Sequence, residues 1–264
     1  MTAATATRGR PEPRPLTGSP GVPFARLFGV ELRKQVDMRA GLWLLGIAVL
    51  VATGVIVLML TTADPVDLSW QSYFLGTSMV HMILLPLVGI LAATGDWSQR
   101  TALSVFTVEP RRTRVNVAKL GAALALGLAV IVATAVAAAA ANGIGIATRD
   151  AGGAWDLEAA TVAGATVTLL LFVLQGVGFG LALLSTPAAI AAYLVLPTAW
   201  SIVAGLVPGL WRWAEWLDMN LTVLPLAGGT MTSSDWPRLL VSVAVWVGVP
   251  LAIGLRRTAR RDVA

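Results

Sequence analysis

Residues 159–211 read AATVAGATVTLLLFVLQGVGFGLALLSTPAAIAAYLVLPTAWSIVAGLVPGLW, 53 residues without one charged side chain. A charge at a bilayer centre costs about 2.5–3.5 kcal/mol on insertion scales, and one helical crossing needs about 20 apolar residues. The run is therefore too long for one span and right for two. Ser185-Thr186-Pro187 divides it near the middle. Pro187 suits the first turn of the second helix, where its missing N–H has no partner to lose. Helices apolar on every side are stable when buried or in lipid, so this stretch points to an all-helical membrane protein.

The same gap criterion applies outward from this stretch. Residues 40–63, 68–95 and 120–148 are uncharged, and each predicts one span. The gap 239–255 is shorter, but Trp236, Arg238 and Arg256 can anchor its ends at the interfaces. Six transmembrane helices result. The whole composition agrees: 56% of the 264 residues are hydrophobic and 12% charged, against about 25% charged in soluble domains. With no Cys and one His, thiolate metal sites and imidazole clusters are excluded.

Lys and Arg sort by loop. Seven precede the first span, five surround the loop between spans two and three, and four follow the last span. Only Arg149, Arg212 and Arg238 fall on the other side. The positive-inside rule thus predicts a multi-pass inner-membrane protein with both termini cytoplasmic. The net charge of +5 becomes a topology signal and gives no ground for nucleic-acid binding. Residues 1–23, rich in Pro, Thr, Ala and Arg, read as a disordered cytoplasmic tail rather than a signal peptide.

Residues 24–39 put Phe24, Phe28, Leu32 and Val36 on one i+4 row, with Arg26, Arg33 and Asp37 opposite. That spacing predicts an amphipathic helix lying on the membrane surface. Glu31 falls inside the apolar arc. Either its carboxylate reaches water or it meets a basic partner, for which the arginines after the second span are the nearest supply.

Between spans two and three, residues 98–106 can form a short helix, Thr107 to Pro110 a break, and Pro110 the first turn of a helix entering the third span. Arg111, Arg112 and Arg114 follow. Two readings stand: basic residues serving headgroups and topology, or a docking surface for another protein. The second accounts for a helix-break-helix element where a short turn would do.

Here the chain resembles the membrane subunits of ABC-2 type ATP-driven exporters. In that family an acidic residue after span two leads to Gly-Thr, an apolar stretch, a Pro closely followed by Arg, and a Lys opening span three. Asp96, Thr101, Leu103, Pro110, Arg111 or Arg112, and Lys119 match, while Arg100 stands where Gly is common. Glu31-Leu32-Arg33-Lys34 looks like the family's interface helix. The six-span pattern extends the resemblance over residues 24–261.

The resemblance implies a half-transporter. A second permease subunit, in a homodimer or heterodimer, would complete the pathway, and two ABC ATPase subunits binding ATP and Mg would dock below it. The coupling region is then 96–117, its helix 98–108, with Arg100, Thr101, Leu103, Phe106, Glu109, Pro110, Arg111, Arg112 and Arg114 as coupling residues. Phe24, Phe28, Glu31, Arg33 and Lys34 belong to the interface helix. The chain itself has no Gly-x-x-x-x-Gly-Lys-Ser/Thr phosphate cradle, no metal set and no cofactor motif, so it reads as a non-enzyme.

The segment 208–237 carries Trp211, Trp213, Trp216 and Trp236, as befits the outer interface. Its apolar middle, Leu221 to Ala227, is too short to cross. It either dips into the membrane as a re-entrant segment or lies at the surface. His81 is the lone ionisable side chain placed well inside a predicted span, and an intramembrane ionisable group is a functional candidate. A neutral His can also satisfy itself through a hydroxyl such as Thr77 or Ser78. Pro86, one turn on, is a kink site. Gln175 and Pro197 are the other pathway candidates. No carboxylate is placed within a span, which favours a hydrophobic or amphipathic substrate over an ion-coupled mechanism. A secondary transporter and a non-transport membrane scaffold are the alternatives. Protease and phosphotransferase motifs are absent.

Overall fold

A computed structural model describes residues 22–149, 151, 155 and 158–260. The tail expected at 1–23 lies outside the described residues except for Val22 and Pro23. Every long element among the described residues is helical. Helix α1 (Phe24–Asp37) precedes α2 (Arg39–Thr62), α3 (Trp70–Ser98), the short α4 (Ala102–Val108), α5 (Arg112–Arg149), α6 (Ala159–Leu183) and α7 (Thr186–Leu206). Three short helices follow, α8 (Trp211–Leu217), α9 (Met219–Thr222) and α10 (Leu224–Ala227), and then α11 (Asp235–Val243) and α12 (Val249–Arg260). The last two are joined by a π-helical turn over Ala244–Gly248 into one rod.

Six of these rods are long and apolar enough to cross a membrane: α2, α3, α5, α6, α7 and the α11–α12 rod. Three are longer than their charge-free gaps, α3 by a single residue. The last has 26 residues where 17 are uncharged, because Asp235, Arg238 and the closing arginines remain helical at its ends. Helix α5 has 38 residues, about 57 Å at 1.5 Å per residue, well beyond the hydrocarbon thickness of about 30 Å. Apolar side chains cover the outside of these rods: Trp43, Leu50, Met79 and Leu206 are each more than 70% exposed.

The centre of the bundle is the α3–α6 pair. A Cβ on Gly89 would sit 2.4 Å from the Val173 carbonyl oxygen, and one on Gly176 2.0 Å from that of Pro86. Only glycine lets the backbones come this close, the device by which membrane helices gain dispersion contacts. Around the seam lie Phe74, Leu85, Ala93, Leu169, Val173 and Val177.

Pro86 sits inside α3 and has no N–H for the Met82 carbonyl one turn earlier. The Tyr193 hydroxyl of α7 donates to that carbonyl at 3.0 Å. A backbone group freed in the membrane is thus satisfied by a neighbouring helix, and the same bond fixes α7 against α3.

The break at 184–185 separates α6 from α7 as the sequence predicts, with Pro187 in the first turn of α7. Leu184 takes the left-handed conformation there, φ +54°. The apolar middle of 208–237 is α9 and α10. Met219, Val223 and Leu226 are buried in a second core with Ile90, Phe172 and Tyr193. The Leu226 carbonyl packs so tightly on Gly164 that any Cβ there would overlap it. Asp218, expected in an outer loop, is 3% exposed. It accepts hydrogen bonds from the Ser201 hydroxyl and the Asn220 N–H, so its charge is held by a short local network. Trp211, Trp213, Trp216 and Trp236 stay on the outside.

Candidate functional site

Four charged side chains meet where α1 crosses α3 and α5. Lys34 donates to Glu31 Oε1 at 2.7 Å and to Asp96 Oδ1 at 3.3 Å. Lys119 Nζ donates to Asp96 Oδ2 and lies 3.3 Å from Glu31 Oε2. Two acids and two bases alternate around a closed ring with no net charge. Glu31, Asp96 and Lys119 are nearly buried, and Lys34 is one-third exposed. Burial works against the Lys34 charge, but the hydrogen bond to Glu31 and the attraction of Asp96 and Glu31 outweigh it. They hold its pKa above the ordinary value of 10.5.

This corrects two expectations. The partners of Glu31 are Lys34 and Lys119, not the arginines of the following loop, because the buried face of α1 is the one carrying Glu31 and Gln35. Phe24 and Val36 of the expected apolar row are exposed, while Phe28 packs on Gly121. A carboxylate is also present within a span-length helix: Asp96 belongs to α3. It survives there because the ring neutralises it.

Asp96 also starts the turn into α4. The Thr101 N–H bonds the Asp96 carbonyl at 2.9 Å and the Arg100 N–H that of Trp97 at 3.3 Å, a Schellman closure of α3. Such a closure needs a left-handed residue, and Arg100 supplies it at φ +58°. That is why glycine suits this position. The Thr101 hydroxyl adds a 3.3 Å bond to Asp96 Oδ1. The turn consumes Gln99 to Thr101, so the short helix runs over Ala102–Val108 instead of 98–106.

On its inner side α4 is anchored. Phe106 lies between Trp97, at 6.2 Å between centroids, and the Arg112 guanidinium, 4.9 Å above its ring. Arg112 also donates to the Thr258 carbonyl of α12 at 3.0 Å. Glu109, 3% exposed, accepts from the Arg111 N–H at 3.2 Å and from Arg114 at 3.0 Å, capping the start of α5. Glu109, Phe106, Arg112 and Arg114 therefore hold the element in place. Outward face Arg100, Thr101, Leu103, Ser104, Thr107, Val108, Pro110 and Arg111. Leu103 is 55% and Val108 72% exposed. Beside α4 an open cleft of about 670 Å³ is bordered by Arg33, Lys34, Arg39, Asp96, Gln99 and Thr101.

The three pathway candidates separate. Gln175 and Pro197 share a crevice of about 260 Å³ between α3, α6 and α7, with Tyr193, Thr198 and Asn220. Gln175 Oε1 has no hydrogen-bond partner there. His81 lies in a different crevice, between α2 and α5. Thr77 and Ser78 do not serve it, because their hydroxyls bond the carbonyls of Tyr73 and Phe74 one turn back.

Spacing gives no sign of Tyr193 or Asn220 as site members, and Lys119, although it matches the family pattern, is not marked by it as the partner of Glu31. Pro86 signals that the Met82 carbonyl needs a donor, but only the fold shows that Tyr193 is within reach. No family model matches the chain, and no curated protein matches it.

Proposed function

We propose that the chain is the membrane subunit of an ATP-driven exporter of the ABC-2 type. In this reading it pairs with a second permease copy and is driven by two separate ATPase subunits that bind ATP and Mg. The observation that carries the reading is α4. Its inner side is fixed by Phe106, Glu109 and Arg112, while its outer side offers Leu103 and Val108 to solvent between the flanking charges of Arg100 and Arg111. Two exposed aliphatic side chains on a short helix at the polar end of the bundle suit the groove of a soluble partner. The positive-inside count puts that end in the cytoplasm, where ATP is.

Force on α4 would pass to three rods through bonds already described: Thr101 to Asp96 of α3, Glu109 to Arg114 of α5, and the ionic ring to α1. The crevice of Gln175 and Pro197 between α3 and α7 is where such tilting would open or close a path. Its mixture of amide, hydroxyl and aliphatic groups suits an amphipathic substrate. The test is co-expression with any ATPase candidates encoded beside it. A stable complex is expected, and Leu103→Glu or Val108→Glu should abolish ATPase stimulation at unchanged yield of folded permease. If no ATPase co-purifies, the reading fails.

A further inference from the structure

The crevice that holds His81 is separate from the proposed pathway and independent of it. It measures about 340 Å³ and opens between α2 and α5. Ala52 and Thr53 border one side, Ala129, Ala133 and Thr134 the other, with His81 of α3 in its lining. Among the described residues, no charged one lines it. His81 is 1% exposed and its Nδ1 has no hydrogen-bond partner. A neutral imidazole has one nitrogen that donates and one that accepts, and leaving such a group unpaired in an apolar interior costs about 1–3 kcal/mol.

We infer that this crevice is a binding site for a neutral, slender lipid-like molecule bearing one hydroxyl or carbonyl, which hydrogen-bonds His81 while its chain lies between α2 and α5. The size fits a small ligand. A whole helical turn with its side chains needs roughly 420 Å³ or more, so a second copy would enter this crevice by a side chain alone, and that occupancy is one of the outcomes that would overturn the proposal. A charged headgroup finds no counter-ion among these residues. Small side chains on α2 and α5 make room for the chain, and His81 gives the one polar contact that fixes its depth.

The test uses the full-length protein in nanodiscs with a 16-carbon alcohol carrying a mid-chain diazirine. Photolabelled residues are mapped by mass spectrometry. Labelling should concentrate on residues 45–56 and 126–137, and excess hexadecanol should compete while hexadecane does so about fivefold less well, the value of one buried hydrogen bond. His81→Leu should erase that preference for the alcohol and keep labelling by the alkane. Ala133→Leu, at an exposed position where the larger side chain fills the crevice without entering the core, should abolish both, so the test survives if the His81 variant fails to fold. Uniform labelling of all outer helix faces, equal competition by the alkane, or an unchanged preference in His81→Leu would each overturn the proposal. The chain has no cysteine. A single cysteine at Ala133 that crosslinks two copies and excludes the probe would equally overturn it, by putting a second chain over the crevice.

Discussion

The bond from Tyr193 to the Met82 carbonyl exists because Pro86 cannot make it, and that dependence can be measured. Tyr193→Phe removes only the hydroxyl and leaves Met82 with an unpaired carbonyl. Interhelical hydrogen bonds in membranes average about 0.6 kcal/mol, with a maximum near 1.7. The upper half of that range applies here. In an ordinary helix the freed carbonyl falls back on its own N–H four residues on, but Pro86 has none, and Tyr193 is only 8% exposed. The expected loss is therefore about 1–1.5 kcal/mol, or roughly 3–5 °C in thermal unfolding of detergent-solubilised protein. The control is Pro86→Ala, which restores the missing N–H. In that background Tyr193→Phe should cost less than about 0.5 kcal/mol, a coupling of nearly 1 kcal/mol in the double-mutant cycle. An equal cost in both backgrounds would show that Tyr193 acts by packing alone and refute the reasoning.

Lys119→Met leaves Asp96 and Glu31 facing each other with only Lys34 between them, and should destabilise by about 3–5 kcal/mol. Adding Asp96→Asn should recover part of that loss, as read by the unfolding midpoint. Arg100→Gly relieves a left-handed residue that costs about 1–2 kcal/mol and should raise stability by about 0.5–1 kcal/mol. Leu184→Gly should give no such gain, because Leu184 is 8% exposed and its burial is lost. The ring also sets a pH dependence. The folded pKa of Lys34 is raised above 10.5, so its contribution is complete below pH 10.5 and is lost as pH climbs through the folded value. In melting curves taken from pH 8 to 12, Lys34→Gln should be flatter than the parent protein on the alkaline side.

The spans were legible because lipid imposes one strong rule, that charge stays out, and gaps in charge follow from it directly. The division at Ser185 to Pro187 was legible for the same reason, aided by proline chemistry. Helix ends were less so. Whether Arg112 or Asp235 is helical depends on caps and packing partners, and hydropathy is blind to those. The ring was half legible: Glu31 stood out as an acid in an apolar arc, but choosing Lys119 over three nearby arginines required knowing which face of α1 turns inward. The row of Phe24, Phe28, Leu32 and Val36 could not decide it, since periodicity cannot tell an apolar face that meets lipid from one that meets protein. Nor could spacing alone reveal that Gln175 and Pro197 share a crevice while His81 faces another; that depends on how α3, α6 and α7 are arranged.

Helix α5 is tied down at each end. Lys119, near its start, is locked into the ring with α1 and α3, and Arg149, its last residue, donates to the Leu60 carbonyl at the end of α2. Sliding by one turn, 5.4 Å, would pull Lys119 out of reach of both carboxylates, strand its buried charge and leave Asp96 and Glu31 to share Lys34 alone. The rod is therefore stiff against piston motion and free only to lean. A lean of about 5° over its length of about 57 Å carries one end roughly 5 Å sideways relative to the other. Whatever work this protein does across the membrane, α5 can take part as a lever and not as a plunger.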